Sequence, residues 1–313
     1  MDFDCFKTAK ELLSNDLILI VSHRNPDGDT LCSSSALCSA LRRAGRTAYL
    51  FANPQISEKF SEYTDDYLAP DSFLPKYIVA VDVADVDMVS QGFECMVDLC
   101  IDHHKSNPHF AKNNCINFEK SATAEIILEI INLIDGDITP HEADMLYIGL
   151  ATDNGCFQYG NTNADSHLAA AALIDAGADI LNLNNEFFGT FSRARIALQG
   201  MIFKGFEFYH DGAVVISSIT KAMIIESGAT EDDLNNIASL PAKVEGAIIA
   251  VTIREINDNY VRVSVRTKGD FNANDICAVF GGGGHPMAAG CSIEASLYHA
   301  KSMILEVVDS LWK

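Results

Sequence analysis

Acidic and imidazole side chains collect in four short groups along the chain: His23-Arg24-Asn25-Pro26-Asp27-Gly28-Asp29, Asp82-Val83-Ala84-Asp85, Asp102-His103-His104 and Thr152-Asp153-Asn154-Gly155. Carboxylates aimed into one crevice repel each other and take up protons unless cations neutralise them. A donor set of carboxylates and imidazoles without a demonstrable thiolate suits Mn²⁺ or Mg²⁺ better than a structural zinc. Six candidate ligands, His23, Asp27, Asp29, Asp82, His103 and Asp153, exceed what one open-sided ion uses, so two ions are expected. A carboxylate bridging ions about 3.5–4 Å apart lets both hold one water, lower its pKa and clamp a phosphoryl oxygen. That chemistry hydrolyses phosphoesters. Taken singly, Asp-Gly-Asp reads as a solvated turn and Asp-His-His as a helix cap; four such groups in one structural context read as a metal site.

The context is set by the elements that precede them. Residues 17–21, 77–81 and 96–101 are short β-rich apolar runs, each leading into one of the first three groups. Ligands of an open parallel sheet bind outside the carboxyl ends of its strands. Residues 47–51 read as a further strand, and 30–44, 124–134 and 140–151 as helices, with Gly45 placed to cap the first of these. Strands alternating with helices predict an α/β domain built on a parallel sheet. After an alanine-rich helix ending near Gly177 and a helical stretch at 190–204, the pattern changes. Runs at 206–209 and 213–219 flank His210-Asp211-Gly212, a hairpin signal, and runs at 247–256 and 260–267 flank Asn257-Asp258-Asn259. A last helix is expected at 295–311. The expected organisation is a catalytic domain over 1–188, a helical connector over 189–205 and a smaller mixed α+β domain over 206–313.

Acidic residues outnumber basic ones 43 to 22 among 313 residues, a formal charge of −21. Such a chain repels long polyphosphate backbones, which argues against a binder of long nucleic acid. The opening Met1-Asp2-Phe3-Asp4 offers no basic leader and the run 17–21 is too short to span a bilayer, so a soluble cytoplasmic protein without membrane contact is expected. Nine cysteines, with no C-x-x-C pair, read as reduced, packed thiols, Cys32 and Cys156 near the site included.

The four groups resemble the ordered motifs of the DHH phosphoesterases: His23-x-x-Pro26-Asp27-Gly28-Asp29, Asp82-x-x-Asp85, Asp102-His103-His104 and Thr152-Asp153-x-Gly155-x-Phe157. Phe280-Gly281-Gly282-Gly283-Gly284-His285 with Ala288-Ala289-Gly290 resembles the signature of the C-terminal domain that accompanies them. The match runs through nearly the whole chain, and in size and motif wording it is most similar to the bacterial nanoRNases. The resemblance implies that His23 and Asp27 hold one ion, Asp29, His103 and Asp153 the other, and that Asp82 bridges them. His104 would then contact the scissile phosphate. Asp102 is expected to orient His103 through its far ring nitrogen. Asp85 is left open between supporting a ligand and capping a helix. Cys32-Ser33 stands where the family usually has glycine and serine, and Asn154 where it usually has a second threonine; neither change removes a ligand.

On the substrate side, the glycine run lacks the spacing of a Walker loop. Gly282, Gly283 and Gly284 with His285 are expected to let backbone amides approach a phosphate or nucleotide edge. In the run 260–267, Val261, Val263 and Val265 face one way while Arg262, Ser264 and Arg266 face the other. The resemblance implies substrate contact for Arg266, and Arg262 is a weaker candidate. Arg193 and Arg195 are expected to face water. His109, His141, His167, His210 and His299 match no motif and read as surface or packing residues.

The implied function is a hydrolase, Mn²⁺-dependent with Mg²⁺ or Co²⁺ as alternatives. It would release nucleoside 5′-monophosphates from short oligoribonucleotides and dephosphorylate 3′-phosphoadenosine 5′-phosphate. A phosphodiesterase for cyclic or linear diadenylate, and a non-catalytic nucleotide-binding regulator, are the alternatives. A family II inorganic pyrophosphatase carries a different C-terminal domain, and a homodimer is left open.

Overall fold

The computed structural model describes residues 3–312. The chain divides into two compact units, Met1–Thr190 and Phe191–Lys313.

In the first unit, strands β1 (Ile18–Val21), β2 (Ala48–Leu50), β3 (Tyr77–Val81), β4 (Leu99–Asp102) and β5 (Asn113–Ile116) form a parallel sheet in the order β2-β1-β3-β4-β5. Every residue of β1, β3 and β4 is buried, as expected of strands covered on both faces. The helices are α1 (Cys5–Ser14), α2 (Gly28–Arg43), α3 (Ser61–Thr64), α4 (Thr123–Ile134), α5 (Pro140–Asp153), α6 (Ala164–Asp175) and α7 (Ile180–Asn184). Leu31, Leu37 and Leu41 of α2 and Ile126, Ile127, Ile130 and Ile131 of α4 are sealed in the main core. Each such side chain contributes about 1.5–3 kcal/mol of burial. A smaller core of Leu19, Val21, Ile78, Ala80, Val83 and Cys100 lies among the residues of alternate parity on the strands.

Glycine lets α2 and α5 approach closely. A Cβ at Gly28 would stand 2.4 Å from Oγ1 of Thr152, and one at Gly149 would stand 3.0 Å from Oδ1 of Asp29. The tight spot is therefore the one where the Asp27-Gly28-Asp29 and Thr152-Asp153 groups meet.

The second unit holds α8 (Arg193–Lys204), β6 (Glu207–Tyr209), β7 (Val214–Ile219), α9 (Lys221–Ser227), β8 (Ile249–Asn257), β9 (Tyr260–Thr267), α10 (Ala273–Ala278), β10 (Gly283–His285), β11 (Ala288–Ile293) and α11 (Leu297–Leu311). Its sheet runs β10-β11-β9-β8-β7-β6, with β7 and β8 parallel and the other pairs antiparallel. The hairpin read at His210-Asp211-Gly212 forms, and all three residues take positive φ. Helix α8, in the stretch read as a connector, buries Leu198 and Ile202 against Ile219, Ile237 and Leu240. The α/β domain on a parallel sheet, followed by a mixed α+β domain, is thus the fold of this chain.

Three details correct the sequence reading. The strand read at 96–101 begins three residues later, because Met96 is exposed and pairing starts at Leu99: Leu99, Cys100 and Ile101 pair with both neighbours and Asp102 with β5. Strand β5 passes unnoticed in the sequence, since its Asn113-Asn114 opening breaks the apolar pattern at a sheet edge. An edge strand also passes unnoticed in the glycine run, where Gly283, Gly284 and His285 pair with Gly290, Ala289 and Ala288 as a hairpin. A Cβ at Gly282 would lie 2.3 Å from the Gly290 carbonyl oxygen, so this glycine is needed for close approach.

Candidate metal centre

Strand β1 ends at Val21 and delivers His23, and the turn that follows delivers Asp27, whose Oδ1 accepts from the backbone amides of Asp29 and Thr30 as the N-cap of α2. Asp29 lies in the first turn of that helix and is fully buried. Strand β3 ends at Val81, and Asp82 follows in a left-handed conformation, φ 60°. Such a backbone costs on the order of 1–3 kcal/mol and persists only where its surroundings impose it. Strand β4 ends on Asp102 and presents His103 and His104, while Asp153 is the last residue of α5.

These side chains converge. His23, Asp27 and Asp82 form one group of candidate metal ligands, Asp29, His103 and Asp153 another, and Asp82, His103 and His104 a third; within each, the donor atoms lie within 4.8 Å of one another. Asp82 belongs to two of the three groups. Its Oδ2 is 3.8 Å from His23 Nε2, and its Oδ1 is 3.6 Å from His103 Nε2 and 3.7 Å from His104 Nδ1. His23 Nε2 lies 3.6 Å from Asp27 Oδ1, and His103 Nε2 lies 3.4 Å from Asp153 Oδ2.

A divalent ion fits this arrangement on three counts. Most of these separations are too long for hydrogen bonds and suit donors that share one cation. His23 Nδ1 is 2.7 Å from the Arg24 carbonyl and His103 Nδ1 is 3.1 Å from the Lys120 carbonyl. A carbonyl only accepts, so each ring carries a proton on Nδ1, and in the neutral form that a metal would bind, Nε2 is the lone pair facing the carboxylates. Indeed His103 Nε2 is buried without a hydrogen-bond partner.

The electrostatics agree. Burial first, then the Asp82 charge, pushes Asp29 up to about 7; burial and Asp27 push Asp82 up to about 6; burial and Asp29 push Asp153 up to about 7. Burial works against the charged form of His23 and His104, yet Asp27 and Asp102 respectively outweigh it and raise each to about 9. Carboxylates reluctant to ionise together and imidazoles drawn toward charge mark a pocket short of positive charge.

One role is corrected. Asp102 does not orient His103: its Oδ1 accepts from His104 Nδ1 at 2.8 Å, and its Oδ2 accepts from Asn107 Nδ2 at 2.7 Å. The physical reason is that His103 already spends Nδ1 on a backbone carbonyl, so the buried carboxylate beside it serves the next ring. Asp85 caps the short turn Val86–Met88 by accepting from the Asp87 amide at 2.9 Å. Cys32 is buried in the core of α2, and Cys156 follows the site in a run of three positive-φ residues, Gly155, Cys156 and Phe157.

Sequence reasoning passed over several supporting residues. Thr123 Oγ1 donates to Asp82 Oδ1 at 2.8 Å, and Ser33 Oγ donates to Asp29 Oδ1 at 2.9 Å. The amides of Thr123 and Ala124 donate to the two oxygens of Asp29 at 2.7 and 3.0 Å. Asn161 Nδ2 donates to the Asp153 carbonyl at 3.3 Å. The available signal was the small-polar stretch Ser121-Ala122-Thr123 opening a predicted helix.

The substrate-side candidates lie in the second unit. On β9, Val261, Val263 and Val265 are buried, while Arg262 is exposed and Arg266 half-buried, with its Nη1 donating to the Val265 carbonyl at 3.0 Å. His285 is exposed on β10, and Gly284 donates its amide to Asn274 Oδ1 at 3.1 Å. Arg195 stacks on Phe191, its guanidinium carbon 4.7 Å from the ring centre. Among the unassigned histidines, His141 stacks on Tyr63, His167 on Phe157, and His210 pairs with Asp309.

Comparison with known proteins agrees with this geometry. The DHH family N-terminal domain matches residues 17–150, and the DHHA1 domain matches residues 211–313. The bifunctional oligoribonuclease and PAP phosphatase NrnA of Thermus thermophilus is 31% identical over 299 residues, covering 93% of this chain and 89% of its own. The protein of the same description from Bacillus subtilis is 25% identical over 287 residues, covering 89% and 90%. A crystal structure of an exopolyphosphatase-related protein from Bacteroides fragilis shares the fold, with a TM-score of 0.87 at 22% identity over 98% of this chain and 96% of that one. The chain belongs to the DHH family, its DHH domain followed by a DHHA1 domain.

Proposed function

We propose that this protein is a Mn²⁺-dependent phosphoesterase of the cytoplasm. It releases nucleoside 5′-monophosphates from short oligoribonucleotides and removes the 3′-phosphate of 3′-phosphoadenosine 5′-phosphate. The observation that carries this is the sharing of Asp82 between donor groups, one with His23 and Asp27, another with His103. His23, Asp27 and Asp82 would hold one ion, and Asp29, His103, Asp153 and Asp82 a second. A pair of divalent ions supplies an acidified water and neutralises charge on a phosphoryl group.

The chain's own residues supply the rest. Asp102, itself held by Asn107, fixes the His104 ring through Nδ1, and when that ring is charged its Nε2–H can donate to a phosphoryl oxygen or the leaving group. Arg266 and, less directly, Arg262 offer guanidinium donors to phosphate, and Gly282, Gly283, Gly284 and His285 offer backbone and imidazole donors to the nucleotide. The formal charge of −21 favours short substrates, because a long strand is repelled wherever it lies outside a neutralised pocket. Nine free cysteines suit a reducing compartment. Among the described residues no helix is long and apolar enough to cross a membrane.

The test is a product assay with Mn²⁺ on 3′-phosphoadenosine 5′-phosphate, pApA, a five-residue RNA and cyclic diadenylate. AMP from the first two and nucleoside 5′-monophosphates from the RNA, abolished by chelation and restored by Mn²⁺, are expected. Opening of cyclic diadenylate alone would replace this substrate assignment. Tight binding of oligoadenylate without product over hours would make the protein a regulator.

A further inference from the structure

Asp29 and Asp82 come from separate elements, the first turn of α2 and the end of β3, and something must fix their spacing. Helix α4 begins between them. Its N-cap is Ala122, which has no side chain able to satisfy the first amides of the helix. Those amides go elsewhere: Thr123 N donates to Asp29 Oδ2 at 2.7 Å and Ala124 N to Asp29 Oδ1 at 3.0 Å. The hydroxyl of the same Thr123 turns the other way and donates to Asp82 Oδ1 at 2.8 Å. Thr123 is fully buried, so water cannot replace either bond.

The geometry points to Thr123 as a positioning residue that clamps the two carboxylates and sets the rotation of Asp82. With Oδ1 held by the hydroxyl, Asp82 keeps Oδ1 toward His103 and His104 and Oδ2 toward His23. Losing the hydroxyl frees the carboxylate to rotate, and one donor group loses its shared oxygen. This inference rests on the proposed role of Asp29 and Asp82 as metal ligands. A merely structural hydroxyl would lower the stability of the metal-free protein and leave the two ion affinities alone.

The experiment compares the full-length protein with Thr123→Val, Thr123→Ser, Thr123→Ala and Asp82→Asn. Mn²⁺ binding is read by titration calorimetry, and spin coupling between neighbouring Mn²⁺ ions by electron paramagnetic resonance. Circular dichroism melts of the metal-free forms report folding. Thr123→Val, close in shape but without the hydroxyl, is expected to bind the second ion at least about tenfold more weakly and to lose the coupled signal. Thr123→Ser should restore both, and Thr123→Ala gives the same reading if the valine variant does not fold. Wild-type affinities and coupling in Thr123→Val, with both lost in Asp82→Asn, would overturn the role of Thr123 and leave the metal assignment standing. Two normally bound ions in Asp82→Asn would show that the metal assignment itself has failed.

Discussion

Gly28→Ala tests whether the meeting of α2 and α5 builds the site. The added Cβ would stand 2.4 Å from Thr152 Oγ1, 2.8 Å from its Cγ2 and 3.0 Å from its Cβ. Thr152 is not free to step aside, because Oγ1 is bonded to the Ile148 carbonyl at 2.8 Å and Asp153 follows it directly. Overpacking of this kind costs about 1–3 kcal/mol. The better helix propensity of alanine returns up to about 1 kcal/mol. The net loss of roughly 1–2 kcal/mol lowers the melting temperature of the first unit by about 2–8 °C. The displaced Asp153 and Asp29 should also weaken Mn²⁺ binding. Adding Thr152→Ala removes the two closest atoms, so the double variant should recover most of both losses. Scanning calorimetry and Mn²⁺ titration of the four proteins complete the cycle. A Gly28→Ala protein that melts and binds Mn²⁺ like the parent, or a double variant no better than Gly28→Ala alone, would refute the close approach.

Asp29→Ala strands three buried donors, Thr123 N, Ala124 N and Ser33 Oγ, and should destabilise the metal-free protein by about 2–4 kcal/mol by urea unfolding. Asp153→Ala, whose carboxylate is partly exposed, should cost far less in the same assay. Asp102→Asn should leave Mn²⁺ binding intact while lowering kcat about 10–100-fold, since Asp102 bonds His104 and Asn107 and none of the proposed metal ligands; equal losses in metal affinity would contradict the pairing. Arg266→Ala and His285→Ala should raise KM for pApA with both ions retained, and unchanged kinetics in both would remove the second unit from substrate handling.

The strand ends were legible because buried parallel strands advertise themselves as short apolar runs, and polar residues just beyond them can only lie at one rim of the sheet. That logic located His23, Asp82 and His103 without coordinates. Asp153 sat less securely, at the end of a helix whose direction the fold alone decides. The pairing of Asp102 with His104 was hidden, since it depends on which ring nitrogen meets the Lys120 carbonyl, a contact 17 residues away in sequence. The clamp at Thr123 was hidden for a related reason: alanine at the N-cap looks like a weak helix start until Asp29, 94 residues earlier, supplies the missing acceptor. The edge strand within the glycine run was equally silent, because glycine carries no side-chain periodicity to read.

The central claim is that Asp82 joins two cation sites. Anomalous diffraction at the manganese edge from crystals grown with Mn²⁺ tests it directly. Two peaks are predicted in the first unit, one beside His23 and Asp27 and one beside Asp29, His103 and Asp153, with Asp82 contacting both. A single peak away from Asp82, or no peak among these side chains, would contradict the account.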